Sequence, residues 1–127
     1  MKIFALSLLL VSCSLADVDS ATHDRTSSPG GRYEIVQSPL AAKWTFRLGR
    51  FTGRIWQLVD ARDARTWQLT PVETLPVIEA KAARFQIFTS GIAARHIFLI
   101  DTYGGATWEL AGGQDEDHPP VWQRFKN

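Results

Sequence analysis

The chain has one cysteine, one methionine and three histidines among 127 residues. A single cysteine, Cys13, cannot close an intrachain disulfide, so an exported domain made from this sequence must be held by its core alone. His23, His96 and His118 stand apart, with no His-x-x-x-His and no cysteine pair. Three or four convergent metal ligands are therefore not expected, and no cofactor is implied. The acidic run Asp115-Glu116-Asp117 before His118 lacks the alternate ligand spacing and the glycine of a dedicated calcium loop. Charge of one sign is also missing: Lys and Arg total 14, Asp and Glu 13, for a net +1. With the export signal described below, that balance argues against nucleic acid as a partner. No Ser or Thr sits in an evident triad pattern, and the one matched serine pair, Ser38 and Ser90, falls at equivalent strand ends. A residue repeated in this way suits a structural role, since a catalytic centre is needed once. The expectation is a protein that is not an enzyme.

Long hydrophobic runs are lacking too. The apolar stretch at residues 3–11 is well short of the roughly 20 residues that span a bilayer. Behind Lys2 and ahead of the small residues Ser12, Cys13, Ser14 and Ala16, it has the layout of an export signal. Leu10-Val11-Ser12-Cys13 resembles the lipobox of bacterial lipoproteins, in which the cysteine is diacylated and the chain is cut just before it. The resemblance covers only the leader, but the sole cysteine stands where a lipobox cysteine must stand. It implies a signal peptide at residues 1–12, an acyl anchor at Cys13 and a membrane as partner. Cleavage after Ser14-Leu15-Ala16 is the alternative, and would discard Cys13. Residues 13–31 are polar and turn-rich, as a flexible tether between anchor and domain would be. Ser14 lacks the acidic character tied to inner-membrane retention, so the expected location is the bacterial outer membrane, or otherwise the periplasm or exterior.

What the sequence does have is a repeat. Residues 32–58 align without a gap on residues 84–110 at an offset of 52, with nine of 27 positions identical. Allowing one loop to lengthen brings Trp67-Gln68 onto Trp122-Gln123. Residues 32–127 thus read as a single β domain of two repeats, 32–72 and 84–125. The first copy carries seven Arg or Lys against three Asp or Glu, whereas residues 84–127 carry four against five.

Alternation with period two predicts four strands per copy. The expected core face of copy one holds Tyr33 and Ile35, then Trp44, Phe46 and Leu48, then Trp56 and Leu58, then Trp67 and Leu69. Copy two supplies Phe85 and Ile87, then His96, Phe98 and Ile100, then Trp108 and Leu110, then Trp122. Gly53 and Gly105, late in the second loop of each copy, are expected to provide the positive φ of a tight hairpin. Residues 78–83 could form one helical turn or an edge segment. The predicted fold class is all-β: two antiparallel four-stranded meanders, each like a propeller blade. They are packed either as a sandwich or as a closed eight-stranded barrel, since two blades cannot close a propeller in one chain.

An Arg-aromatic-x-Ile start, an apolar strand ending in Asp101-Thr102-x-x-Gly105 and a following Trp108-x-Leu110 resemble duplicated hairpin repeats of small exported bacterial (lipo)proteins of unknown function. The likeness spans residues 32–125 loosely, and only copy two carries the Asp-Thr pair. It implies an all-β fold and no activity.

The opposite strand faces suggest where binding occurs. Glu34, Thr45, Arg47 and Gln57 make a wet surface in copy one, but Phe88, Ile97 and Leu99 form an apolar stripe in copy two that needs a cover. The cover is either the linker at residues 75–78 or a partner, meaning an envelope protein or a second copy. Arg47, Arg50 and Arg54 gather near the first hairpin, where they are either solvated or able to meet anionic headgroups. The function expected is a non-catalytic, lipid-anchored envelope module binding through Phe88, Ile97, Leu99, Arg47, Arg50 and Arg54. A secreted barrel holding a small ligand is the alternative.

Overall fold

A computed structural model describes residues 25–26, 28–38, 44–90 and 96–126. The leader, Cys13 and most of the expected tether lie outside the described residues. No helix occurs among those described, and so none is long and apolar enough to cross a membrane.

Nine strands follow one another: β1 (Arg25–Thr26), β2 (Tyr33–Gln37), β3 (Thr45–Gly49), β4 (Ile55–Asp60), β5 (Arg65–Thr70), β6 (Phe85–Thr89), β7 (Ile97–Asp101), β8 (Thr107–Ala111) and β9 (Val121–Arg124). β2 to β5 form one antiparallel meander and β6 to β9 another, so each sequence repeat is one sheet. The two sheets stack as a sandwich and do not close into a barrel. Residues 25–26, expected within the tether, pair with Ile35 and Val36 as a short fifth strand. An extended polar segment thereby satisfies the backbone groups that β2 would otherwise present at a sheet edge.

The hairpins repeat closely. Gly53 N–H donates to Gly49 O and Gly105 N–H to Asp101 O, each at 2.8 Å, and both glycines have φ of 76°. That left-handed conformation suits glycine, as the pattern of the loops predicted. Ser38 and Ser90 also match, their N–H groups donating at 2.9 Å to Trp44 O and His96 O respectively. The linker at residues 73–84 makes neither a helical turn nor a strand. Before it, Val72 bridges Trp122 in parallel, and Leu75 and Ile78 then pack against the core.

Sheet one contributes Val36, Phe46, Leu48 and Ile55 to that core, and sheet two Phe85, Ile87, Ile97, Leu99, Trp108 and Trp122. Phe46 meets Trp122 edge-on, with ring centroids 5.6 Å apart at 70°. Across the two sheets β3 lies in contact with β6. Toward β9 the space between them also takes the bulk of Trp122, and Trp44 packs against Gly113 in the β8–β9 loop.

Within most strands the predicted alternation holds, but the way strands combine into faces does not. Register pairs Ile35 with Arg47 and Arg47 with Trp56, so Tyr33, Ile35 and Trp56 share a face with Arg47 and not with Phe46 and Leu48. Likewise Ile87 pairs with Leu99 and Leu99 with Trp108, which puts Phe98 and Ile100 on the other side. Cross-strand parity is set by loop geometry, and a shift of one residue exchanges the faces of a strand.

Candidate binding faces

The buried faces of the two repeats are opposite ones. Adding 52 to Val36, Phe46, Leu48 and Ile55 gives Phe88, Phe98, Ile100 and Thr107, all on the outward face of sheet two. Subtracting 52 from Phe85, Ile87, Leu99 and Trp108 gives Tyr33, Ile35, Arg47 and Trp56, on the outward face of sheet one. The sheets are thus stacked front to back. Each end of the stack presents the repeat's version of a surface that is buried inside.

On sheet one this outward face, termed the front, holds Tyr33, Ile35, Trp56, Trp67 and Leu69 around Arg47. Tyr33 and Leu69 are each 58% exposed and Ile35 is 40% exposed. The Tyr33 ring meets Trp56 edge-on at 6.3 Å. Arg47 places its guanidinium carbon 4.5 Å from the Trp56 ring centre and 5.2 Å from that of Trp67. Its planar cation lies against two indole faces, an arrangement that both quadrupole attraction and stacking favour. The Arg47 Nε has no hydrogen-bond acceptor among the described residues. Tyr33, Ile35, Arg47 and Trp56 line a shallow concavity of about 490 Å³.

Sheet two's outward face, the back, holds Phe88, Phe98, Ile100 and Phe125 beside His96 and Glu109. Phe88 is 56% exposed. Phe98 stacks with His96 at 6.0 Å and tilts against Phe125 at the same distance, while His96 Nδ1 contacts the Glu109 carboxylate.

The residues expected to bind are scattered. Phe88 is exposed as expected. Ile97 and Leu99, expected on the surface, are buried at 4% and 0% exposure, because pairing with Thr89 and Ile87 turns them toward sheet one. Residues of the first repeat and the linker residues Leu75 and Ile78 share the core that holds this stripe. The three arginines do not form one rim. Arg47 belongs to the front, Arg54 is exposed, and Arg50 turns toward the buried Glu34 at 3.9 Å while donating to Ser28 O at 2.8 Å and Gly31 O at 3.2 Å.

A corner of sheet two carries a two-bonded ion pair between Arg84 and Asp101. Arg84 Nε and Nη2 each donate to Asp101 at 2.7 Å, and Asp101 Oδ1 accepts the Tyr103 N–H at 3.0 Å. The Arg84 hydrogen bonds hold the Asp101 carboxyl down to about 2, against a contrary push from its own burial. Arg84 also lies over Tyr103 and Phe85, at 5.6 and 5.7 Å. The pair fastens the start of repeat two to its hairpin and is a structural clamp.

Alternation alone places the aromatic residues of the front in the core, so the sequence pattern does not reveal this face. Arg47 was the available signal: a cation at the position of Leu99, flanked across the sheet by Ile35 and Trp56, marks a face that water reaches. Compared with known proteins, the chain matches no protein-family profile, no curated protein and no solved structure.

Proposed function

We propose that this chain is a non-catalytic binding or structural module of the bacterial envelope, held at a membrane through Cys13 and acting through the outward faces of its stacked sheets. The observation that supports this reading is the front: Tyr33, Ile35 and Leu69 exposed on one sheet face, with Trp56, Trp67 and Arg47 between them. Contiguous apolar surface of this kind marks interaction sites. Aromatic rings with an arginine are the residue types that concentrate binding energy at interfaces. The side chains there are mostly apolar rings and aliphatic branches around one guanidinium, the groups that bind and orient partners. A ligand held inside a closed barrel is not favoured, since the two sheets stack as a sandwich with Phe46, Leu48, Trp108 and Trp122 in the core between them.

A photo-crosslinking phenylalanine analogue at Tyr33, in the full chain expressed in its native bacterium, tests the reading. A discrete covalent adduct with protein is expected, weakened by Trp56→Ala and absent when the analogue replaces exposed Asp63. No adduct at Tyr33 would remove the binding role. Intact mass of the same preparation reports the anchor: a diacyl or triacyl species beginning at Cys13 is expected, and an unmodified chain beginning at Asp17 would overturn that part.

A further inference from the structure

We infer that the partner of the front is the back of a second copy of this chain, so that two to four copies close into a ring of stacked sheets. This inference rests on the binding role proposed above and names the occupant of that surface. Its template is the contact inside the chain. There, the face of repeat one formed by Val36, Phe46 and Leu48 receives the face of repeat two formed by Phe85, Ile87 and Leu99. Both partners exist a second time, unburied: Phe88, Phe98 and Ile100 on the back are the counterparts of the first set, and Tyr33, Ile35 and Arg47 on the front are those of the second. Front-to-back stacking leaves two unlike ends that match each other, which a sandwich burying the same face of both repeats would not do.

The hairpins carry the same message. A Cβ at Gly53 would lie 2.7 Å from Leu75 Cδ1 and 2.9 Å from Phe85 Cε1, so this glycine is where repeat two settles onto repeat one. Its counterpart Gly105 has the same φ of 76°, yet a Cβ there would meet nothing within 4 Å. The counterpart of Phe85 is Tyr33, 58% exposed. The carbonyl of Arg50 accepts the N–H groups of Arg84 and Phe85 at 2.8 and 2.9 Å. At the offset of 52, the carbonyl of Thr102 would accept those of Arg32 and Tyr33 from the next copy.

Charge selects front to back over the alternatives. The front carries Arg47 amid its apolar side chains and the back carries Glu109, whereas the internal interface has Leu99 and Gln57 at the equivalent positions. Two fronts would bring Arg47 toward Arg47 and two backs Glu109 toward Glu109, whereas the mixed contact brings Arg47 toward the Glu109 carboxylate, which His96 Nδ1 also contacts. Such head-to-tail association forms a ring when its rotation closes and a filament when it does not. Radially arranged four-stranded sheets close with about four to eight members, which two-sheet chains supply as two, three or four copies.

The test is sedimentation equilibrium of the full chain, purified from its host in density-matched non-ionic detergent, with two variants, Ile35→Glu on the front and Phe88→Glu on the back. The unaltered chain is expected as one discrete species of two, three or four chains. Each variant alone is expected to be a monomer with an unchanged circular dichroism spectrum. Mixed in equal amounts, the two variants should form a 1:1 dimer that grows no further, because each retains the face the other has lost. A monomeric unaltered chain, a polymer of unlimited length, or a variant mixture that stays monomeric would overturn the inference. A monomer whose Tyr33 crosslinks to a different protein would leave the binding role standing and this inference refuted.

Discussion

Arg84 grips Asp101 with two hydrogen bonds of 2.7 Å, and Asp101 is only 4% exposed. Because its carboxyl is held at about 2 in the folded chain and titrates near 3.9 when unfolded, the ionised form favours the native state by about 2 kcal/mol at neutral pH. That contribution is fully present above about pH 4 and is lost as pH falls from about 4 toward 2. Asp101→Asn is expected to lower the stability at pH 7 by roughly this amount and to flatten the acid limb of the stability curve. Urea titrations at a series of pH values from 7 to 2 measure both; an unchanged acid limb in the variant would mean that the pair does not bear on folding.

Gly53 and Gly105 share a φ of 76° and a place in their hairpins, but only Gly53 is buried. Alanine costs more than about 0.4–1 kcal/mol at either, since a Cβ is strained at positive φ. At Gly53 the new methyl also collides with Leu75 and Phe85, adding about 1–3 kcal/mol of overpacking. Chemical denaturation under conditions where the chain is monomeric should therefore rank Gly53→Ala well below Gly105→Ala. Equal costs would contradict the seating of repeat two on this hairpin.

Trp67 and Trp122 test the same asymmetry in the outer strands. They align in the repeat, yet Trp122 is fully buried against Phe46 and Trp67 lies half-buried on the front beneath Arg47. Trp122→Ala should cost about 3–5 kcal/mol, in the range for large aromatic residues removed from a core. Trp67→Ala should cost clearly less. Thermal unfolding followed by circular dichroism distinguishes them, and a Trp67 cost as large as that of Trp122 would show the two outer strands to be buried alike.

The two meanders, their strands and the turn glycines were legible in the sequence because alternation and hairpin chemistry are local. Arg47 and Leu99 show where legibility ended. Each lies in a strand whose alternation is clear, but which side faces the core depends on the register with β2 and β4 or with β6 and β8. A repeat invites the assumption that equivalent faces are buried, and here the opposite faces are. That arrangement is a property of how the second sheet is set on the first. It was visible in the sequence only as unlike substitutions between copies, such as Arg47 against Leu99 and Val36 against Phe88.

Ile97 and Leu99 decide between a core stripe and a surface stripe, and Phe88 provides the control. Ile97 and Leu99 are 4% and 0% exposed, in the core cluster that also holds Phe46 and Leu48 of sheet one, whereas Phe88 in the adjacent strand points away and is 56% exposed. Ile97→Glu and Leu99→Glu together would put two carboxylates into the apolar core, and uncompensated buried charge costs several kcal/mol per ion. A domain of this size has a total stability of about 5–15 kcal/mol, so the double variant should be unfolded at 25 °C. Phe88→Glu should retain the native circular dichroism spectrum and lose at most about 1 kcal/mol, as surface substitutions away from caps and cores do. If the double variant folded while Phe88→Glu did not, the faces of sheet two would be the reverse of those described, and the front-to-back stacking of the repeats would fall with them.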